Sequence, residues 1–305
     1  VATKSEIDVC VVGSANLDIV VPVPHHPVAG ETVLGGDHVR IPGGKGANQA
    51  VAAARLGRSV AFVGCVGDDA AGAELRGALV NDGIDVSFLR VAPETPSGIA
   101  MISVGPDGDN SIVVSPGANN QVNEDDIGRA ATLLEIARVT LLQLEVPIEP
   151  ITEAAEAAGG LVILNPAPAQ ALTSRLLESV DVLVPNETEL ALLSGSPVAS
   201  TFDEIVDQAR LLPAARTVVT LGAQGALLVD ETEVHHQAAP RVAAVDTTAA
   251  GDSFCGALAD VLSEGGSLTD AMAWGVMVGA ATTLRLGAQS SLPTAGEVAD
   301  LLELP

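Results

Sequence analysis

Ile7-Asp8-Val9-Cys10-Val11-Val12-Gly13 reads as a strand with almost no polar face, ending at a glycine. Runs of the same kind recur at Val60–Val66, Val139–Leu144, Leu161–Leu164, Val180–Val184 and Thr217–Leu221, with a further extended run at Ala226–Val229. Strands that are apolar on both sides are strands covered on both sides. Helical stretches separate most of them, among them Gly46–Leu56 and Ala70–Asn81, and such alternation belongs to a parallel sheet between two helix layers. The expected fold is therefore α/β, with three layers, a mostly parallel central sheet and helices on both faces. The C-terminal third is mostly helical, over Gly251–Ser263, Leu268–Leu284 and Ala295–Leu302.

Two segments break this rhythm. Val20–Ile41 carries Pro22, Pro24 and Pro27, and Gly98–Val114 alternates around the turn Pro106-Asp107-Gly108-Asp109-Asn110, which reads as a hairpin. Both are expected to pair into a small sheet outside the main one that serves as a lid. Residues 1–305 then form a single α/β domain with lid strands inserted within about 14–42 and 96–116.

Composition narrows the function classes. Apolar residues are 48% but aromatics only 2%, so the core is aliphatic and stacking platforms for single-stranded nucleic acid are not expected. A formal net charge of -25 disfavours nucleic acid and anionic membrane surfaces, both of which need Lys and Arg. There are only two lysines, Lys4 and Lys45. The cysteines Cys10, Cys65 and Cys255 have no metal-type spacing and read as buried thiols. With no signal-like N-terminus and no bilayer-length apolar run, a cytoplasmic location is expected.

The chemistry concentrates in Asp246-Thr247-Thr248-Ala249-Ala250-Gly251-Asp252, followed at once by the helical Ser253-Phe254-Cys255-Gly256-Ala257-Leu258. Small residues at a helix N-terminus expose unpaired N–H groups, and the helix dipole adds positive potential. That is an anion site. A carboxylate at the same spot is a conflict unless it works beside a phosphate, so Asp252 is a candidate base toward a hydroxyl.

Other candidates read two ways. Asn16-Leu17-Asp18 follows the first strand, where open α/β sheets bind ligands, and reads as a hydroxyl-binding pair or a polar turn. Gly43-Gly44-Lys45-Gly46-Ala47-Asn48 opens a helix and fits neither a Walker A loop nor a dinucleotide fingerprint; its glycines suit close ligand approach or a plain helix start. Glu145 ends a strand and reads as a ligand or a solvated loop acid. Asn186-Glu187-Thr188-Glu189 reads as a helix cap or a hydrated Mg²⁺ site. The turn Thr220-Leu221-Gly222-Ala223-Gln224-Gly225 suits a phosphate contact or any tight connection. The pairs His25-His26 and His235-His236 read as exposed and not as zinc ligands.

Taken together these segments resemble the ribokinase family of carbohydrate kinases, also called the phosphofructokinase-B family, from the first strand to Ser291. The resemblance also runs through Gly30-Glu31-Thr32-Val33, Gln143-Leu144-Glu145, Asn165-Pro166-Ala167-Pro168 and Pro185-Asn186-Glu187-Thr188-Glu189. It implies ATP-dependent phosphorylation of ribose at its 5-hydroxyl, or of a related sugar or nucleoside. Asp252 would be the base, and the N–H groups of Ala249, Ala250 and Gly251 the anion hole. Asn16, Asp18, Gly44, Lys45, Gly46, Asn48 and Glu145 would hold the sugar. Asn186, Thr220, Gly222, Gly225 and Gly251 would hold ATP, with Glu189 ordering water around Mg²⁺. Asp246, Thr248, Thr282, Arg285, Gly287 and Ser291 would surround an activating K⁺, several through carbonyls. Ala100, Ile102 and Ile112 would line the lid side, and a homodimer through the lids is implied. Val276 and Thr282 depart from the family pattern; Val276 is expected near the adenine, and the Thr282 side chain is expected to matter little.

Overall fold

A computed structural model describes residues 7–302; Lys4 and the ends of the expected 1–305 domain lie outside the described residues. In chain order the elements begin β1 (Val9–Val12), β2 (Asn16–Pro22), β3 (Val39–Gly43), α1 (Lys45–Arg55), β4 (Val60–Gly67), α2 (Ala70–Asn81), β5 (Asp85–Ala92), β6 (Gly98–Val104) and β7 (Asn110–Ser115). There follow α3 (Glu124–Ile136), β8 (Val139–Leu142), α4 (Ile148–Ala157), β9 (Leu161–Leu164), α5 (Ser174–Glu178), β10 (Val182–Leu183), α6 (Glu187–Ser194) and α7 (Phe202–Arg210). The chain closes with β11 (Thr217–Thr220), β12 (Ala226–Val229), β13 (Val234–Gln237), α8 (Ala250–Ser263), α9 (Leu268–Thr282) and α10 (Ala295–Leu301).

Nine strands form the central sheet in the order β13-β12-β11-β10-β9-β8-β1-β4-β5. The pairings from β11 to β5 are parallel, and β12 and β13 add an antiparallel edge. Alternate residues of each inner strand enter opposite cores. Val9, Val11, Val60, Phe62, Val139 and Leu141 pack with α1, α2, α8 and α9. Cys10, Val12, Ala61, Val63, Leu142 and Val162 pack with α3, α4 and α5. This two-sided burial is why the strands read as unbroken apolar runs.

Several expected boundaries move. β8 stops at Leu142, because Leu144 N–H donates to Ala167 carbonyl (3.0 Å) and the chain leaves the ladder. β10 shortens to two residues before Pro185. The helix expected to reach Leu284 ends at Thr282, and the carbonyl of Thr283 accepts from Val245 (2.8 Å) and Asp246 (3.2 Å). β5 carries no continuous apolar run: it is an edge strand whose residues alternate between exposed and buried, so it lacks the signal of the inner strands.

A second sheet of four strands runs β3-β2-β6-β7, with β2 and β6 parallel and both outer pairs antiparallel. Its register aligns Asp18 with Ile41 and Ala100, Ala100 with Val114, Val20 with Val39 and Ile102, and Ile102 with Ile112. These residues therefore share one face. At its outer end Val39, Ile112 and Val114 are about half exposed (52%, 51% and 47%). Among the described residues no helix is long and apolar enough to cross a membrane.

Candidate active site

The strand order reverses direction at β1: the chain first builds toward β5, then returns to add β8 on the other side. Open α/β sheets bind ligands in the crevice outside such a switch point. The chain leaving β1 and β8 delivers Ser14, Asn16 and Glu145 there. One Glu145 oxygen, Oε2, accepts from Ser14 Oγ (2.6 Å), Lys45 N–H (3.0 Å) and Asn16 Nδ2 (3.3 Å). Asn119, ahead of α3, donates to Asn16 Oδ1 (2.7 Å) and to Ala15 carbonyl (3.2 Å), fixing the Asn16 amide.

The glycine-rich run has a use that its sequence does not announce. Gly44 caps α1 with φ of +89°, and a Cβ there would lie 2.6 Å from Asn16 N. A Cβ on Gly43 would lie 2.4 Å from Asp18 Oδ2. The glycines let the start of α1 nest against the protein's own β1–β2 corner, so the close approach expected for a ligand is made first by the chain itself. This seats Lys45, Asn48 and Gln49 beside α8. α8 comes equally close, since a Cβ on Gly256 would sit 2.6 Å from Ala52 Cβ.

α8 starts at Ala250, one residue earlier than expected, and Ala249 caps it in the left-handed region with φ of +61° and no side-chain bond. Of the proposed anion-hole groups, Ala250 N–H already donates weakly to Thr247 carbonyl (3.3 Å). The N–H groups of Ala249, Gly251 and Asp252 have no partner among the described residues. The Asp252 carboxylate is buried at this helix start. Its Oδ2 accepts from Asn48 Nδ2 (2.9 Å) and its Oδ1 from Gln49 Nε2 (3.2 Å), while the buried Asn48 Oδ1 is unpartnered.

A cavity of about 230 Å³ opens here, lined by Lys45, Asn165, Ala167, Val184, Asn186, Glu189, Thr220, Thr247, Ala249, Gly251, Asp252 and Cys255. Lys45 makes no ion pair among the described residues. Burial pulls its ammonium down, but the carboxylates of Asp252, Glu145 and Glu189 outweigh this and hold it above its ordinary value. Burial raises Asp252 against the opposing pull of Lys45, Asn48 and Gln49. Asp18 is pushed up to about 7 by burial and then by the charges of Glu145 and Asp252. A base raised toward working pH accepts a proton more effectively.

Asn186 and Glu189 form a reciprocal helix cap: Glu189 N–H donates to Asn186 Oδ1 (2.8 Å) and Asn186 N–H to Glu189 Oε2 (2.9 Å). The capping reading therefore holds, and it leaves Glu189, which lines the cavity, with its Oε1 free of any hydrogen bond among the described residues. Among the described residues no three His, Cys, Asp or Glu cluster as a metal cage. One free carboxylate oxygen fits a Mg²⁺ that keeps its waters. Thr220 pairs with Asn186 across the strand ends. Gly222 and Gly225 lie outside the cavity lining; a Cβ on Gly225 would be 1.9 Å from the Gln237 carbonyl, so this glycine makes room for β13.

At the other end of the loop, Asp246 accepts from Thr248 N–H (2.9 Å) and Gly287 N–H (2.8 Å). Burial would raise its carboxyl, and these bonds outweigh burial and hold it low. No basic side chain pairs with it among the described residues, which fits a monovalent cation close by. The Arg285 side chain points instead to Glu297 (2.8 Å), and Ser291 Oγ donates to Ala288 carbonyl (2.7 Å). The Thr282 side chain does matter: its buried hydroxyl bonds Ser253 Oγ (2.9 Å) and Val278 carbonyl (2.9 Å), tying α9 to α8. Val276 is buried in the core beside α8.

Each histidine pair is one exposed and one half-buried residue. His26 bonds Ser103 and Asp109, and His236 bonds the Gln224 carbonyl. Sequence reasoning assigned no role to Ser14, Gln49, Asn119 or Thr247. Gln143 and Asn165 stand inside quoted motifs and Gln49 directly follows one, which was their only signal.

A model of the pfkB family carbohydrate kinases matches residues 6–295. The chain is 37% identical to a ribokinase of Haemophilus influenzae over 96% of its own length and 97% of that protein. It is 38% identical to a deoxyribokinase of Salmonella typhi over 98% and 99%. A solved Arabidopsis thaliana ribokinase complexed with ribose and ATP superposes with a TM-score of 0.88 at 34% identity, covering 98% of this chain and 99% of that one. The chain thus shares the fold of that solved ribokinase, and it belongs to the pfkB family of carbohydrate kinases.

Proposed function

We propose that this chain is a ribokinase, moving the terminal phosphoryl group of ATP to the 5-hydroxyl of D-ribose. The observation that carries this reading is Asp252, clamped by Asn48 and Gln49 beside unpartnered N–H groups, on a cavity that joins Lys45 to Asn186. Asn16, Asp18, Asn48 and Glu145 hold the sugar hydroxyls, with the orphaned Asn48 Oδ1 as an acceptor. Asp252 takes the proton of the attacking hydroxyl. The N–H groups of Ala249 and Gly251, with Ala250 once its weak turn bond yields, neutralise the phosphoryl oxygens. Phosphoryl transfer needs alignment and charge neutralisation more than covalent help.

Three carboxylates, Asp252, Glu145 and Glu189, face one lysine, and Asp18 adds its charge beside Glu145 and Asp252. A polyphosphate entering that field needs a divalent cation, which supplies positive charge to its oxygens when bound, and Glu189 would order its waters. Gly222 and Gly225 shape the turn beyond Thr220 at the nucleotide end. The four-stranded sheet acts as a lid within one catalytic domain. Its Asp18-bearing face continues into half-exposed Val39, Ile112 and Val114, which fits a homodimer formed lid to lid. Three buried free thiols fit a reducing, cytoplasmic setting.

Deoxyribose is the second reading, favoured by the 38% identity to a deoxyribokinase. A nucleoside is disfavoured because, among the described residues, no aromatic ring lines the cavity; Phe62 and Phe254 lie in the core, and Phe202 packs at a tilt against His236. ADP release across ribose, deoxyribose, fructose and adenosine tests this. Ribose should give the highest kcat/KM; a higher value for deoxyribose selects the second reading, and no release with any sugar ends both.

Asp246, Thr248 and Gly287, with carbonyls near Thr282 and Arg285 and the Ser291 segment, would surround a K⁺ that shapes the loop without touching substrate. Potassium is expected to raise kcat over a bulky organic cation at equal ionic strength. Equal rates in both salts would remove the cation from the mechanism.

A further inference from the structure

Behind Asp252 lies a buried chain of amides, of which the catalytic reading uses only the first, Gln49. Gln49 Nε2 donates to Asp252 Oδ1 (3.2 Å) and to Asn165 Oδ1 (3.3 Å). Gln143 Nε2 donates to Gln49 Oε1 (2.6 Å). Gln49 and Gln143 are both 0% exposed. An ionised carboxylate only accepts hydrogen bonds, so Gln49 must turn its nitrogen to Asp252. Its oxygen then faces Gln143, which must present its own nitrogen. The polarity of the chain is thus set at the Asp252 end.

A second observation marks the arrangement as built. Gln143 Oε1 is buried without a partner. It is pressed against two glycines, where a Cβ on Gly13 would lie 2.0 Å away and one on Gly46 2.9 Å. A buried amide oxygen left unsatisfied is unusual and calls for a reason. Here the amide nitrogen is committed to Gln49 and the oxygen has nowhere else to go. Gln143 stands two residues before Glu145, so one strand end serves the base through Gln143 and the sugar side through Glu145.

We propose that Gln49, itself held by Gln143, is a positioning residue that fixes the plane of the Asp252 carboxylate and favours its ionised form. This rests on Asp252 being the base. Asn48 holds the second oxygen, so the two amides clamp the carboxylate from both sides and leave each oxygen a free lone pair for the incoming hydroxyl. The other ionisable groups around Asp252 are Lys45 from α1, Asp18 from β2, Glu145 after β8, Glu189 from α6 and Cys255 from α8 itself. All stay in place when Gln49 or Gln143 is changed.

The test compares Gln49→Met, Gln143→Met, the double variant and Asp252→Asn by steady-state kinetics across pH. Gln49→Met should lower kcat about 10–100-fold, as for loss of a hydrogen bond to a charged group, with sugar KM within about threefold. The acid limb of its kcat/KM profile should move to higher pH. Gln143→Met, which does not touch Asp252, should move the limb the same way with a smaller rate loss, roughly 3–10-fold. The double variant should be no slower than Gln49→Met, because the second residue acts through the first. An unmoved acid limb, additive losses, or a loss confined to KM overturns the proposal. If Gln49→Met does not fold, Gln143→Met alone decides through its acid limb. Near-normal turnover in Asp252→Asn would instead remove the base assignment. Lost turnover in Asp252→Asn with an unmoved limb in Gln143→Met overturns only the positioning role.

Discussion

Asp252→Asn is expected to lower kcat by about 10²–10⁴-fold while sugar binding stays within a few-fold of its starting value, the range for loss of a positioned base. Asparagine keeps the size of aspartate but cannot take the hydroxyl proton. The remaining machinery does not compensate. A single oxyanion-type donor contributes on the order of 10²–10³-fold, and the helix dipole only about 0.3–2 kcal/mol. Asparagine also has one oxygen where the clamp needs two, so either Asn48 or Gln49 meets an N–H instead of an acceptor. Steady-state kinetics with a calorimetric titration of ribose separates the effects. A kcat within tenfold of the unmodified enzyme would sink the assignment.

Asp18→Asn is expected to move stability and binding in opposite directions. The Asp18 carboxyl is pushed from 3.8 to about 7, first by burial, then by Glu145 and Asp252. Because the folded value lies above the unfolded one, Asp18 costs nothing below about pH 4. It becomes progressively destabilising as pH rises from 3.8 through about 7, and its cost is constant above that. A shift of this size corresponds to roughly 4 kcal/mol. The asparagine variant without ligand should therefore melt several degrees higher than the unmodified protein at pH 8, and at nearly the same temperature at pH 4. Sugar binding should suffer, with KM raised about 10–100-fold, because an ionised carboxylate makes stronger bonds to hydroxyls than an amide does. In the unmodified enzyme sugar KM should fall as pH rises through about 7. A flat KM profile from pH 5.5 to 8.5, or no melting difference at pH 8, would count against Asp18 as the hydroxyl acceptor.

Much of the architecture was legible from one physical signal. β1, β4, β8 and β9 are buried on both faces, so composition alone marks them. β5 was not legible, because an alternating edge strand resembles any amphipathic loop until its partner β4 is known. α3 and α7 were not placed, although caps at Asn123 and Thr201 and buried faces at Ile127, Ala130, Leu134 and at Ile205, Gln208, Ala209 carried a helical signal. The candidate site was legible where motif residues face the cavity, as at Lys45, Asn186 and Asp252. The glycines of 43–46 read as room for a ligand or a plain helix start, and their contact with the β1–β2 corner was not legible, since those neighbours come from an earlier part of the chain. Thr282 was misjudged because the partner of its hydroxyl, Ser253, lies on another helix.

By itself the sequence determined that this is a two-sided parallel α/β protein with an acid at a helix start built of small residues. Those properties are local: strand hydrophobicity and the unpaired N–H groups of a helix end depend on neighbours in the chain. Tertiary structure alone decided what that acid can do. Asp252 is buried, clamped and set among Lys45, Glu145 and Asp18 by residues up to 204 positions away. Its proton affinity and its aim arise from desolvation and from hydrogen bonds across α1, β8 and α8, and both exist only once those elements pack together.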